Sequence, residues 1–110
     1  MAELMARSYI TNFNKITILF LLFMSVSGCR ESASTAVPRL IQMFSSTDTH
    51  ERNSAAHEIG SYGKEAEEAV LPLIKLLHDP NNGVRSSAAY SLRRIGTKEA
   101  SEALDSYKKD

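Results

Sequence analysis

The residues of this chain best able to do chemistry are two His-Glu pairs, His50-Glu51 and His57-Glu58. They stand seven residues apart, two turns of an α-helix, so both imidazoles share one face, and imidazole with carboxylate is a donor set that holds divalent metals. The plainer reading is solvated polar residues on an exposed helix side. Other reactive groups are sparse. There is no Gly-x-Ser-x-Gly elbow and no glycine-rich phosphate loop, and Ser54, Ser86 and Ser87 lie among small residues of helical spacing, where they solvate a surface. With 13 basic and 13 acidic residues the charges balance, so no field is strong enough to draw nucleic acid. What remains is recognition. Polar residues rotated away from the apolar stripes are Asn53, His57 and Ser61 on one segment and Ser86, Tyr90, Arg93 and Arg94 on another. Tyr and Arg are enriched among residues that dominate protein–protein binding.

The elements that must position these groups are best seen from Asp79 to Gly96. Asp-Pro followed by Asn-Asn-Gly cannot continue a helix, because proline lacks the backbone donor and Asn and Gly tolerate turn geometry. A new helix therefore starts near Gly83, with Val84, Ala88, Leu92 and Ile95 on one stripe and Ala89 beside it. The same grammar occurs 33 residues upstream: Ala36 pairs with Ala69, Val37 with Val70, Leu40 with Leu73, Arg52 with Arg85, Ala55-Ala56 with Ala88-Ala89 and Gly63 with Gly96. Such a period signals units that cannot bury their apolar faces alone and must stack.

These residues resemble the HEAT repeat in its short bacterial form, also called HEAT-like or phycocyanobilin-lyase-type. AVLPLIKLLHDPNNGVRSSAAYSLRRIG follows its pattern closely, and AVPRLIQMFSSTDTHERNSAAHEIGSYG departs from it in having Ser46-Thr47 for Asp-Pro and Glu51 for the valine. The resemblance implies an all-α fold, a short α-solenoid of about two and a half helical hairpins: repeat 1 about 36–63, repeat 2 about 66–96 and a capping helix about 98–109. It also implies that the turn Asp79 and the second-helix Arg52 and Arg85 form an inter-repeat ladder, a structural role. Second helices line the concave side, where HEAT partners often bind, which makes Asn53, His57, Ser86, Tyr90, Arg93 and Arg94 the candidate contacts for a protein partner. HEAT-repeat deoxyhypusine hydroxylase places His-Glu immediately before the paired alanines, where this chain has Asn53-Ser54 and Ser86-Ser87. Tyr90-Ser91 stands opposite His57-Glu58, so the second copy adds no ligand. No catalysis and no cofactor are implied; a metal- or small-ligand-binding protein using the His-Glu pairs is the alternative.

Along the chain, Ser34 or Thr35 is expected to cap a first helix carrying Val37, Leu40, Ile41, Met43 and Phe44, with Pro38 in its first turn. Asp48 or Thr49 caps a second helix running to about Tyr62, ended by Gly63. A third helix is expected over Lys64–His78, acidic at its start and kinked at Pro72. The fifth, Lys98–Lys109, presents Glu99, Glu102 and Asp105 outward as a solenoid cap must. At roughly 0.05–0.15 kcal/mol per residue the repeat domain is stable by about 4–12 kcal/mol, so docking onto a partner, or weak self-association, would stabilise it.

The start of the chain differs in kind. Lys15 leads into ITILFLLFMSV, then Ser27-Gly28-Cys29. About eleven apolar residues give roughly 16 Å of helix, against the ~30 Å of a bilayer core, too short to span. A basic flank, a short apolar run and small residues describe a secretory signal peptide. Val26-Ser27-Gly28-Cys29 resembles the bacterial lipobox, which implies lipidation of Cys29 after removal of residues 1–28, with 29–35 as a tether to the 36–110 repeat domain. Cys29 is the only cysteine and has no disulfide partner in the chain. The resemblance implies a protein anchored to the bacterial cell envelope, facing the periplasm or exterior. Arg30, in place of the aspartate that retains some lipoproteins in the inner membrane, points to the outer membrane of a diderm cell.

Overall fold

Three serine and threonine hydroxyls open the first helix. The computed structural model describes residues 30–109, so the leader segment and Cys29 lie outside the described residues. Ser32 has extended backbone and its carbonyl accepts from Thr35 and Ala36 N–H at 3.1 and 2.9 Å. Helix α1 is thus Ala33–Met43, three residues earlier than the spacing predicts. Ser34 and Thr35 do not cap it: their hydroxyls pair with that of Ser32 at 3.1 and 3.2 Å. Pro38 therefore sits in the second turn rather than the first, and the carbonyl it cannot bond is that of Ser34, an exposed residue.

Helix α2, Thr49–Ile59, is capped by Asp48, whose carboxylate accepts from His50 N–H at 2.8 Å. The chain then tightens into a 3-10 segment, Gly60–Ala69, interrupted at Gly63 (φ 55°, ψ −133°) and Ala66 (φ −98°, ψ 24°). Only glycine takes the Gly63 conformation without strain. The expected third helix over Lys64–His78 is therefore corrected: the α-helix proper, α3, is Val70–Leu76. Burial of Ala66 and Ala69 against the neighbouring helices, with Glu65, Glu67 and Glu68 left in solvent, overrides the helical preference of that stretch. Pro72 is the third residue of α3, where a backbone donor has no intrahelical acceptor anyway, and so it does not act as an interior kink.

Asn81 caps α4, Asn82–Ile95, accepting from Val84 N–H at 3.2 Å, and Gly96 ends it in the left-handed conformation (φ 69°). Helix α5 is Lys98–Lys109. The described residues are all helical, without strands: α1 and α2 form one hairpin, α3 and α4 a second, and α5 half of a third. Side chains fully out of solvent include Val37, Leu40, Ile59, Leu73, Leu77, Val84, Leu92 and Ile95, one continuous core. Ile41, Met43, Ile74 and Tyr107, expected inside, pack at its edge half-buried. The acids Glu99, Glu102 and Asp105 are exposed, while Ala100 and Leu104 close the core beneath them. Among the described residues no helix is long and apolar enough to cross a membrane.

Candidate functional site

The two second helices, α2 and α4, are fixed side by side by an arginine–aspartate rung. Arg52 donates from Nε to Asp79 Oδ2 at 2.9 Å and from Nη2 to Oδ1 at 3.2 Å. Its Nη1 holds the Ser46 and Thr47 carbonyls of its own turn at 2.9 and 3.3 Å. One guanidinium therefore ties the first turn to the second. Arg85 repeats the inner half of this pattern, with Nη1 on the Asp79 and Pro80 carbonyls at 2.7 and 3.0 Å. The Arg52 hydrogen bonds, helped by the Asn81 N–H and the nearby Arg85 charge, hold the Asp79 carboxyl below its ordinary 3.8 despite burial.

Above the rung the helices touch through small residues. Ser87 Oγ donates to Asn53 Oδ1 at 2.6 Å, and the fully buried Ser91 hydroxyl donates to the Ala56 carbonyl. A methyl on Gly60 would stand 2.6 Å from Ser91 Oγ and 3.1 Å from its Cα, so the absence of a side chain there is what lets α4 approach.

Beyond this seam the helices part into a groove of about 490 Å³. Its wall is a stacked pair: the His57 and Tyr90 rings lie 4.8 Å apart at 15°. Asn53, Ser54, Glu58, Ser61 and Ser87 complete the lining. It is an aromatic surface rimmed by hydroxyl, amide and carboxylate groups, suited to hold a polar peptide segment. A second hollow of about 410 Å³ lies on the first-helix side, between Ile41 of α1 with Phe44 just after it and Leu71, Pro72 and Lys75 of α3, with Leu71 66% exposed.

A family model for HEAT repeats matches residues 37–110. The chain belongs to the HEAT-repeat family. Comparison with curated proteins and with solved structures gives no match. HEAT repeats in general serve as protein-interaction scaffolds and are typically non-catalytic, and that coarse role attaches to this HEAT-repeat chain.

The structure brings Asn53, His57 and Tyr90 to the groove. Ser86, Arg93 and Arg94 are exposed on α4 outside its lining, the two arginines in the last turn where they offset the helix dipole. His50 is exposed and apart from the groove. Among the described residues no three His, Cys, Asp or Glu side chains converge as a metal would need. Sequence reasoning read Ser54 and Ser87 as solvation, Glu58 as a candidate metal donor and Ser91 only as the absence of a ligand opposite Glu58. The 33-residue register carried the missing signal, because equivalent residues of stacked repeats are neighbours, and His57 maps onto Tyr90.

Proposed function

We propose that the protein is a lipid-anchored adaptor of the bacterial cell envelope that holds another envelope protein or peptide along the second-helix side of its HEAT repeats, without catalysis. The observation that carries this reading is the His57–Tyr90 stack at the mouth of a polar groove. Ordered aromatic area costs little conformational entropy on binding, and the hydroxyls and amide around it give direction to hydrogen bonds. The envelope address rests on the order of residues from Lys15 to Cys29, and the outer-membrane preference on Arg30. Two or more acyl chains on Cys29 would hold the domain stably at a membrane without a spanning helix.

Capture of native envelope proteins by the tethered chain, read by mass spectrometry, identifies the partner. Tyr90→Ala combined with Arg93→Ala is expected to weaken that capture at least about tenfold, the loss of one or two contact residues, with an unchanged thermal melt. Equal capture by variant and wild type places the site elsewhere. Cys29→Ser is expected to abolish incorporation of labelled palmitate; continued labelling overturns the anchor and leaves the groove untouched.

A further inference from the structure

Shifting α2 by 33 residues maps the face it offers to the following repeat onto a face of α4 that meets no following repeat among the described residues. On α2 and the residue that follows it, that face is Arg52, Asn53, Ala56 and Gly60, and each is engaged: Arg52 by Asp79, Asn53 by Ser87, Ala56 and Gly60 by Ser91. On α4 the equivalents are Arg85, Ser86, Ala89 and Arg93. Ser86 and Arg93 are exposed, Arg85 is half-buried and Ala89 is covered.

Arg85 is gripped from behind as Arg52 is, each Nη1 holding the carbonyls six and five residues back. The front edges differ. Arg52 spends Nε and Nη2 on a carboxylate, whereas among the described residues Arg85 Nε has no acceptor and Nη2 reaches only Asn82 Oδ1 at 3.5 Å. Helix α4 carries three arginines and no acid. A fork of N–H donors fixed in place beside further positive charge matches a carboxylate in geometry and in sign.

We propose that this face of α4 docks an acidic helical segment of a partner protein, one carboxylate of which takes the Nε–Nη2 edge of Arg85 as Asp79 takes that of Arg52. A second acid of the partner faces Arg93, eight residues on and about 12 Å along the helix. Because Arg93 stands where α2 has Gly60, the partner is held there by charge rather than by the close approach α4 makes to α2. A second copy stacked in the repeat register does not supply the acid, since its first turn offers Ser46 at the Asp79 position and its Asp79 is already bound to Arg52; docking of a copy through its exposed α5 acids is the outcome that sedimentation tests. The proposal rests on the reading of the chain as a protein-binding scaffold, but not on the groove at His57.

The test titrates the full chain with an alanine-based helical peptide carrying glutamates eight residues apart, and with its twin carrying glutamines. The readout is the arginine Nε–Hε resonances, with the His57 and Tyr90 ring resonances followed beside them, by NMR. Saturable movement of the Arg85 resonance by the glutamate peptide is expected, with affinity at least about tenfold lower for the twin, as loss of a charge-assisted pair requires, and lower again at high salt. Arg85→Gln abolishes the peptide-induced movement of the Arg93 resonance; Arg93→Gln, at an exposed position that does not endanger folding, weakens the Arg85 response severalfold. An unmoved Arg85 resonance, equal binding of the two peptides, or a dimer in sedimentation that uses this face overturns the proposal. Shifts confined to His57 and Tyr90 overturn it too, while leaving the groove reading standing. Conversely, a Tyr90→Ala variant that captures its partner normally removes the groove and not this face, provided the Arg85 response persists.

Discussion

The Asp79 carboxylate receives three N–H donors, two from Arg52 and one from Asn81, while its own backbone carbonyl is held by Arg85. These side-chain bonds are stronger to the ionised form, because in each an N–H donates to a carboxylate oxygen. Since the folded-state pKa lies below the ordinary 3.8, folding favours the ion. The resulting stabilisation is complete well above that ordinary value and is lost as pH falls through the lower, folded one. Wild-type thermal stability is therefore expected to decline from about pH 5 downward, whereas Asp79→Asn flattens that part of the profile. Asp79→Ala at neutral pH is expected to cost about 1.5–3 kcal/mol in a denaturant melt, the usual worth of hydrogen bonds to a charged group. A pH profile identical in wild type and Asp79→Asn would show that the rung contributes nothing.

At the scale of elements, the seam between α2 and α4 depends on two small residues that face each other, Gly60 and Ser91. Gly60→Ala, at the junction of α2 and the 3-10 segment, gains at most about 1 kcal/mol of helix propensity, yet its methyl would press on Ser91 Oγ and on the Ser91 backbone at 2.6 and 3.1 Å. Overpacking costs about 1–3 kcal/mol, so net destabilisation is expected, part of it relieved by adding Ser91→Ala because the hydroxyl leaves and the backbone contact stays. A Gly60→Ala chain as stable as wild type would refute the seam. Periodicity made much of the helical framework legible: the stripe Val84, Ala88, Leu92 and Ile95 is buried throughout, and α5 spans Lys98–Lys109 as expected. It did not reveal the Gly60–Ser91 contact, because a serine inside an apolar stripe reads as surface until the facing helix is known. Nor did it show that Lys64–Ala69 leaves the α-helix. That segment is rich in helix formers, and the backbone angles at Gly63 and Ala66 accompany the packing of the 3-10 segment on α1 and α4. The groove was half legible: His57 and Tyr90 were picked as surface residues, while their stacking needed the repeat register read as spatial adjacency.

For the molecule as a whole, stacking means that each hairpin is completed by its neighbour, so damage at one end should spread by contact rather than everywhere at once. Helix α5 packs chiefly on α4 and α3, and α1 on α2 and the 3-10 segment. Leu104, 7% exposed, closes the core at one end, and Leu40, fully buried, lies toward the other. Leu104→Asp places an unpaired carboxylate in the cap, and losing the leucine alone costs about 2–5 kcal/mol. Hydrogen exchange is expected to show protection lost first in α5, then in α4 and α3, with α1 and α2 following only as global unfolding is approached. Leu40→Asp should give the reverse order, beginning at α1. If both variants lowered protection evenly from Ala33 to Lys109, two hairpins and a cap would be behaving as one indivisible unit. The capping role assigned to α5 would then have no energetic meaning separate from the core it covers.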